Sequence, residues 1–304
     1  MMTPYLHHRL KRISMTNTPW LSATLLILLT AIAPTLWGTT YIVTTELLPA
    51  DRPFIAAFLR LLPAGIILVL ISRHLPQRHE WLHIVILAIL NFAIFHVLLF
   101  VAAYRLPGGL AAVVGAIQPL MMMFLIWFVD NRKPAHLALA ASIIGVFGMA
   151  ALLLSPSSTW DLIGIIAASV GAMLMTCGVF LARRWRTDMP LLAFTGWQLL
   201  IAGVMLAPLA WLIDPPLQTL TTKNILGYGY LSLFGTTFAY VLWFNGIAKL
   251  SPVAVSSLGL LSPIAAVIIG WIILGQSITG VALLGLIVVL ASVLTVQWAL
   301  VPKR

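Results

Sequence analysis

The sequence predicts an all-α integral membrane protein with ten transmembrane helices, arranged as two inverted five-helix repeats. First, 62% of the 304 residues are hydrophobic and only 8% are charged, whereas a soluble domain carries about 25% charged residues. Second, the apolar residues form continuous runs of ~20, the length at which a helix crosses a bilayer, without the alternation of a barrel strand. Third, the chain contains an internal repeat.

The repeat relates the two halves of the chain. Residues 96–100 (HVLLF) return as 240–244 (YVLWF), and residues 106–119 return as 250–263, both displaced by 144 positions. Upstream, residues 60–65 return as 198–203, displaced by 138. A repeated pattern at a near-constant displacement indicates a duplicated structural unit. We therefore predict repeat one at residues 21–154 and repeat two at residues 160–300, after a basic cytoplasmic lead-in at residues 1–20.

Ten apolar runs are long enough to span the membrane at ~1.5 Å per helical residue. The connections between them are short, so no room is left for a soluble catalytic domain. The predicted spans are 21–43, 54–72, 82–103, 107–129, 136–154, 161–182, 190–213, 225–247, 252–274 and 280–300.

The distribution of Lys and Arg supports this count. With a cytoplasmic N-terminus, 13 of the 17 basic residues lie in inner segments, three lie in outer segments and Arg60 lies within a span. Basic residues favour the cytoplasmic side, and a wrong helix count would reverse part of the chain and remove the bias. We predict a multi-pass protein of the cytoplasmic (inner) membrane with both termini inside. The net charge of +10 then reflects topology and not nucleic-acid binding.

Five spans per repeat is an odd number, so the second repeat enters the membrane in the opposite sense to the first. Inverted repeats place a shared site near the bilayer midplane and allow the halves to rock around it. This architecture suggests alternating access.

Arg60 is the charged residue that lies well inside a predicted span. Burying a charge in a bilayer is expensive, so Arg60 needs an aqueous cavity or a partner. It either anchors an anionic group of a substrate or snorkels and bonds backbone carbonyls. Its repeat mate, Gln198, retains hydrogen-bonding capacity without charge.

Three prolines interrupt predicted spans: Pro34 in span one, Pro119 in span four and Pro263 in span nine. Each removes a backbone N–H and frees the carbonyl four residues earlier. Paired breaks mark binding sites in inverted-repeat transporters, although a kink can also serve packing alone. We expect one central cavity, lined by residues Trp37, Arg60, His96, Gln118, Gln198, Tyr240, Trp243 and Ser262.

His96 has two alternative roles. It either binds substrate or carries a proton, or it is a neutral histidine bonded to a neighbouring helix. No Asp or Glu falls deep in a predicted span, which weakens a carboxylate proton relay. The chain also lacks a phosphate-binding glycine loop with its Lys, and Cys177 is its single cysteine. We expect no enzyme activity, catalytic residue, metal or cofactor.

Several of these residues match a known family. The segment 36–40 (LWGTT) resembles the tryptophan–glycine motif that opens EamA domains, and 58–62 (FLRLL) resembles their second-helix arginine motif. Gln118-Pro119 and Ser262-Pro263 resemble the proline that ends the fourth-helix motif. The chain therefore resembles a tandem-EamA member of the drug/metabolite transporter superfamily, across residues 21–300.

The resemblance implies ten helices in two inverted repeats and export of amino acids, pigments or other small metabolites. Among subgroups, it extends to the indigoidine-type pigment exporters. The family often places a Glu just after helices four and nine, where this chain has Asp130 and Gln276. That difference puts a coupling or gating role of the second position in doubt.

We predict a secondary transporter of the cytoplasmic membrane, exporting a small polar or amphipathic metabolite that is amino-acid-like, pigment-like or drug-like. Its partners are a small-molecule substrate and the lipid bilayer, and it acts as a monomer or a homodimer. The alternative is a non-transporting membrane sensor or assembly protein built on the same bundle. A sealed, apolar interface between the halves would favour that alternative.

Overall fold

The computed structural model describes residues 19–106, 117–153, 161–185, 187–217, 219–274 and 280–300, and these fold into helices joined by short turns, with no strand among them. Most of the predicted lead-in and the first half of span four lie outside the described residues. The helices are α1 Pro19–Leu47, α2 Pro53–Ser72, α3 Trp81–Arg105, α4 Gln118–Asp130, α5 His136–Leu153, α6 Leu162–Arg184, α7 Leu191–Leu212, α8 Thr222–Lys249, α9 Pro252–Leu258, α10 Leu261–Leu274 and α11 Val281–Leu300.

The predicted all-α membrane fold is confirmed. By length and composition, six of the described helices can cross a membrane: α1, α2, α3, α6, α7 and α8. The remaining predicted spans coincide with shorter apolar helices. Large apolar side chains cover the outside of the bundle, such as Phe128 at 78% and Leu212 at 80% exposure. A soluble protein rarely exposes so much contiguous apolar surface. Such a surface is typical of a protein that contacts lipid.

The contact between α2 and α7 shows how the repeats are related. A Cβ added to Gly65 would lie 2.3 Å from the Leu200 nitrogen, and one added to Gly203 would lie 2.7 Å from the Leu62 Cα. Moving each residue by 138 positions exchanges these two contacts with each other. As the residue number increases along α2, the number of the contacting residue decreases along α7, so the two helices are antiparallel. The local twofold axis therefore lies across the helices, as inverted repeats require.

The same symmetry relates the other helix pairs. Helix α1 packs against α8 and helix α3 packs against α6, two contacts that exchange when the repeats are exchanged. Helices α5 and α11 pack closely where Gly145 faces Ser292, and the Ser292 hydroxyl donates to the Ala141 carbonyl at 2.6 Å. Small residues permit this close approach, which stabilises helix pairs in lipid.

At each end of the bundle, the contacts join turns that the charge distribution assigns to the same side of the membrane. On the predicted outer side, Arg105 pairs with Asp161 at 3.2 Å. On the predicted inner side, Arg184 pairs with Asp130 at 2.5 Å, and the Trp197 indole donates to the His74 carbonyl. Asp161 also caps α6 by accepting from the Gly164 N–H at 2.7 Å, and this bond lowers the pKa of its carboxyl.

One of the three predicted helix breaks is wrong. Pro34 does not break α1, because the helix continues through it to Leu47; a packed transmembrane helix tolerates the loss of one backbone bond. Pro119 occupies the first turn of α4, where its missing N–H costs no helical bond; residues 107–116 lie outside the described part of the chain, so a break of span four stays a prediction. Pro263 lies in the first turn of α10, so the break in span nine falls at Gly259–Leu260, before the proline.

Candidate binding cavity

A cavity of about 130 Å³ lies between the two repeats. Helices α1, α2, α3 and α4 of the first repeat line it, together with α6, α8 and the α9–α10 break of the second. Seven of the eight residues expected around a central cavity lie on its wall: Trp37, Arg60, His96, Gln118, Tyr240, Trp243 and Ser262. Gln198 does not, because it is fully buried between α7 and α3.

Arg60 reaches from α2 into the second repeat. Its Nε donates to the Thr236 hydroxyl at 2.9 Å, one terminal nitrogen donates to the Gly235 carbonyl at 2.9 Å, and the other donates to the Thr40 hydroxyl at 3.2 Å. Only 1% of its surface is exposed. A guanidinium has five N–H donors, so two have no acceptor among the described residues. All three acceptors are neutral, and no ion pair in the described part of the chain involves Arg60.

The contact of Arg60 has a mirror image in the other repeat. Gln198, its repeat mate, accepts from the Asn91 amide at 3.5 Å, and Asn91 is the repeat mate of Gly235. In each half, the polar residue of the second span therefore reaches the third span of the opposite half. We call these contacts the Arg60 clasp and the Gln198 clasp. The first has two bonds from a cation, to Gly235 and Thr236, whereas the second has one long bond between amides.

Both clasps end on π-helical turns. These turns, Ile89–Ala93 in α3 and Leu233–Phe238 in α8, occupy equivalent positions 144 residues apart. A π turn disturbs the regular ladder of backbone bonds and often occurs at functional sites. Here it leaves the Gly235 carbonyl available, which accepts from the Trp37 indole at 3.1 Å as well as from Arg60.

His96 and Tyr240, which are repeat mates, bond directly to each other. The His96 Nδ1 lies 3.0 Å from the Phe92 carbonyl, and its Nε2 lies 3.2 Å from the Tyr240 hydroxyl. Because a carbonyl only accepts, Nδ1 carries a proton. We assign no second proton to Nε2, since a second buried cation near Arg60 would be unfavourable, so the Tyr240 hydroxyl donates to Nε2. His96 is thus a neutral histidine in this conformation. The pair lies on the local twofold axis, where a residue meets its own mate.

Aromatic rings form one wall of the cavity. The Trp37 ring lies 5.0 Å from that of Tyr240 and 4.9 Å from that of Trp243. These separations are typical of stabilising aromatic pairs. The Trp243 indole N–H is buried and finds no acceptor among the described residues, which is uncommon for a buried polar group.

Sequence reasoning missed the contribution of α6, which supplies a wall of small and medium side chains. Those on the cavity are Ala167, Ala168, Gly171, Ala172, Met175, Thr176 and Val179. Their spacing of three and four residues marks one helix face, a signal present in the sequence. It also missed Tyr41 on the wall and Asn91 behind it; an Asn inside an apolar span is a candidate functional residue by itself.

The cavity extends along much of the bundle. Of its lining residues, Tyr41, Ala102 and Ala167 lie within two turns of the predicted outer ends of their helices, and Val179 and Trp243 lie within two turns of the predicted inner ends. Toward the inner face, the rings of residues Phe92, Phe194, Tyr240 and Phe244 pack at separations of 4.7–6.1 Å. Farther inward, Arg183 donates to the carbonyls of Ile247 and Leu250. These contacts hold the inner ends of α6, α7 and α8 together.

The chemistry of the cavity is that of a binding site. Among the residues that the structure describes, no three His, Cys, Asp or Glu side chains lie close enough to hold a metal ion. The lining offers one cation, neutral hydrogen-bonding groups and aromatic surface. These groups can hold and orient a small molecule.

Comparison with known proteins gives a consistent picture. The profile of the EamA-like transporter family matches residues 22–154 and again residues 162–298. Protein PecM of Dickeya dadantii is 39% identical over 267 residues, which cover 87% of this chain and 90% of PecM.

More distant relatives extend the same similarity. A WAT1-related chloroplastic protein of Arabidopsis thaliana is 28% identical, covering 86% of this chain and 67% of its own. YedA of Escherichia coli K12, named as an uncharacterized inner membrane transporter, is 26% identical over 86% of this chain and 87% of its own. A crystal structure with 17% sequence identity superimposes with a TM-score of 0.77 over 90% of this chain and 98% of its own, which shows a shared fold.

Proposed function

Because the chain belongs to the EamA-like transporter family, we propose that it exports a small amphipathic metabolite by alternating access between its two repeats. That it is a membrane transporter of small molecules follows from the family itself. The observation that carries the proposal is the cavity between the repeats, with an unpaired cation on its wall. A sensor or assembly protein has no need for such a cavity, and a sealed interface would have favoured one.

The eight predicted residues take distinct roles in this proposal. Arg60 anchors a negatively polarised group of the substrate through its two remaining N–H donors. Gln118 and Ser262, repeat mates at the starts of α4 and α10, contribute neutral polar groups. Trp37, Tyr240 and Trp243 contact the apolar part of the substrate, and His96 fixes the orientation of the Tyr240 hydroxyl. Gln198 acts indirectly, by holding Asn91.

The two clasps supply a rationale for alternation. In an inverted-repeat protein, each half adopts in turn the conformation of the other. We propose that the Arg60 clasp is closed in the conformation described here, and that the Gln198 clasp tightens when the cavity opens to the inner face. Because a cation bonds more strongly than an amide, the Arg60 clasp favours the present conformation.

We propose the cytoplasmic (inner) membrane as the location, with both termini in the cytoplasm and repeats at residues 21–154 and 160–300. The charge distribution and the grouping of turns support this orientation. Single cysteines at Ser157 and at Thr187, in a variant with Cys177→Ser, should label with an impermeant maleimide from opposite sides of sealed membranes. Labelling of both from one side would contradict the topology.

Cysteine accessibility within the cavity tests alternation without a known substrate. Ser262→Cys, in the Cys177→Ser background, places a thiol of similar size on the cavity wall. In proteoliposomes of known orientation, an impermeant maleimide should reach it from either side, because each conformation exposes the cavity to one face. The control is Thr187→Cys, which should react from one side. A thiol at position 262 that reacts from one side alone would contradict alternating access.

A further inference from the structure

The charges and rings around the cavity restrict the kind of molecule that it accepts. We propose that the substrate is a small aromatic anion without a cationic amine, such as an aromatic carboxylate, and therefore not a zwitterionic amino acid. This inference rests on the proposed transport function and names the substrate class for the same cavity. It follows from the fixed charge, the unsatisfied donors and the ring surface of the cavity.

The fixed charge on the wall is positive. Arg60 carries it, and its described acceptors are the neutral Thr236, Gly235 and Thr40. No Asp or Glu is among the residues that line the cavity, and His96 is neutral with both ring nitrogens bonded. A carboxylate entering the cavity meets a partner for the buried guanidinium. An ammonium meets a like charge in a medium of low dielectric constant, where repulsion is strong.

The starts of two helices add to the positive potential. Helices α4 and α10 begin at the cavity, with Gln118 and Ser262 on its wall. The N-terminal end of a helix carries a partial positive charge and attracts anions. These positions are repeat mates, so each half of the bundle contributes one helix start. At α10 this charge is partly offset by the C-terminal end of α9 at Leu258, and the Ser262 N–H already donates to the Gly259 carbonyl at 3.1 Å.

A further buried donor is left without an acceptor. The indole N–H of Trp243 lies in the wall at 3% exposure of the residue and has no partner in the described part of the chain. Native proteins rarely retain such a group without a reason. A substrate with an acceptor oxygen, admitted by a small movement of this ring, supplies the missing bond.

The shape of the cavity favours one or two rings. Trp37, Tyr41, Phe95, Tyr240 and Trp243 give it an aromatic lining, against which a flat molecule stacks. Its volume of about 130 Å³ is below the ~300 Å³ at which pockets for drug-sized ligands begin. Bulky amphipathic compounds are therefore excluded in this conformation.

Four compounds on one ring scaffold test the charge rule. Phenylacetate is an anion, phenylacetamide is a neutral acceptor, phenethylamine is a cation and phenylalanine is a zwitterion. Binding to the purified full-length protein in nanodiscs is measured by calorimetry, and transport is measured in proteoliposomes. We expect phenylacetate to bind about tenfold more tightly than phenylacetamide, since a charge-assisted bond exceeds a neutral one by about that factor. The amine and the zwitterion should bind more weakly than the amide.

Three variants separate the contributions. Arg60→Gln should remove the preference for phenylacetate over phenylacetamide. Trp243→Phe, which removes the N–H and keeps a ring, should weaken both compounds about tenfold and leave their ratio unchanged. Trp211→Phe, at a side chain 67% exposed on the outside of the bundle, is the matched control and should bind both as the wild type does.

The proposal is overturned if phenethylamine or phenylalanine binds as tightly as phenylacetate, or if none of the four binds at millimolar concentration. It is also overturned if Trp243→Phe matches the wild type. Labelling of Ser262→Cys from both sides distinguishes this failure from failure of the transport function: if that labelling persists, transport stands and only the substrate class is wrong.

Discussion

Replacing Arg60 with Gln copies into the first repeat the residue that the second repeat already has at the equivalent position. In the structure, the Arg60 side chain makes three bonds to the second repeat and to α1. A glutamine can keep one of them, as Gln198 does with Asn91. Losing two bonds from a charged donor costs about 3–6 kcal/mol at ~1.5–3 kcal/mol each. Removing a buried charge recovers at least about 2.5 kcal/mol, so we expect the variant to fold.

The effect on transport should be much larger than the effect on folding. An anionic group that bonds the guanidinium loses about 1.5–3 kcal/mol, which corresponds to about ten- to a hundredfold weaker binding. Arg60→Lys keeps the charge but loses the planar fork of donors, so it should show an intermediate defect. Folded protein is measured by fluorescence-detected size exclusion, and binding by calorimetry with phenylacetate. A folded Arg60→Gln protein with wild-type affinity and rate would show that Arg60 is structural alone.

Three further predictions concern packing, coupling and pH. Gly65→Ala should destabilise the protein by about 1–3 kcal/mol or more, because the new Cβ would lie 2.3 Å from a backbone nitrogen of α7. The control Gly229→Ala meets open space and should keep or slightly raise the melting temperature, because Ala is the better helix former. Equal melting temperatures of the two variants would refute the packing argument. His96→Gln should retain at least partial transport, because a neutral amide can still bond the Tyr240 hydroxyl; loss of all pH-gradient-driven flux with intact binding would contradict this. Burial raises the pKa of the Asp214 carboxyl, so the folded state binds this proton more tightly than the unfolded state does. The resulting stabilisation is complete below the pKa of the unfolded state and is lost as the pH rises through the pKa of the folded state. Asp214→Asn should therefore raise the melting temperature at pH 7, with the difference vanishing below about pH 3, and an unchanged melting temperature at pH 7 would contradict it.

The fold was predictable because lipid imposes simple rules on sequence. Runs of apolar residues predict the spans, and the excess of Lys and Arg on one side predicts their orientation. Duplication then links distant positions. The pairing of His96 with Tyr240 at a displacement of 144, for example, becomes a direct hydrogen bond in the structure. The twofold axis brings such mates together, which explains why most of the expected cavity residues meet.

What the sequence could not supply was local backbone geometry. The π turns that present the Gly235 carbonyl have no signature in residue type, and the helix break before Pro263 falls at Gly259–Leu260. The repeat predicts a cavity position for Gln198, the mate of Arg60. The shorter Gln198 side chain instead stays buried against Asn91. A repeat preserves the position of a residue along the helix but not the length of its side chain.

Cross-linking α3 to α6 tests most directly whether movement between the repeats exposes the cavity alternately. A Cβ built on Gly171 lies 3.6 Å from the Cβ of Leu98, within the 3.5–4.5 Å that a disulfide spans. Leu98→Cys and Gly171→Cys are combined with Ser262→Cys in the Cys177→Ser background, and labelling at position 262 is measured before and after oxidation. The oxidised protein should label from one side only, and reduction should restore labelling from both sides. Labelling from both sides while the cross-link is intact would contradict this prediction.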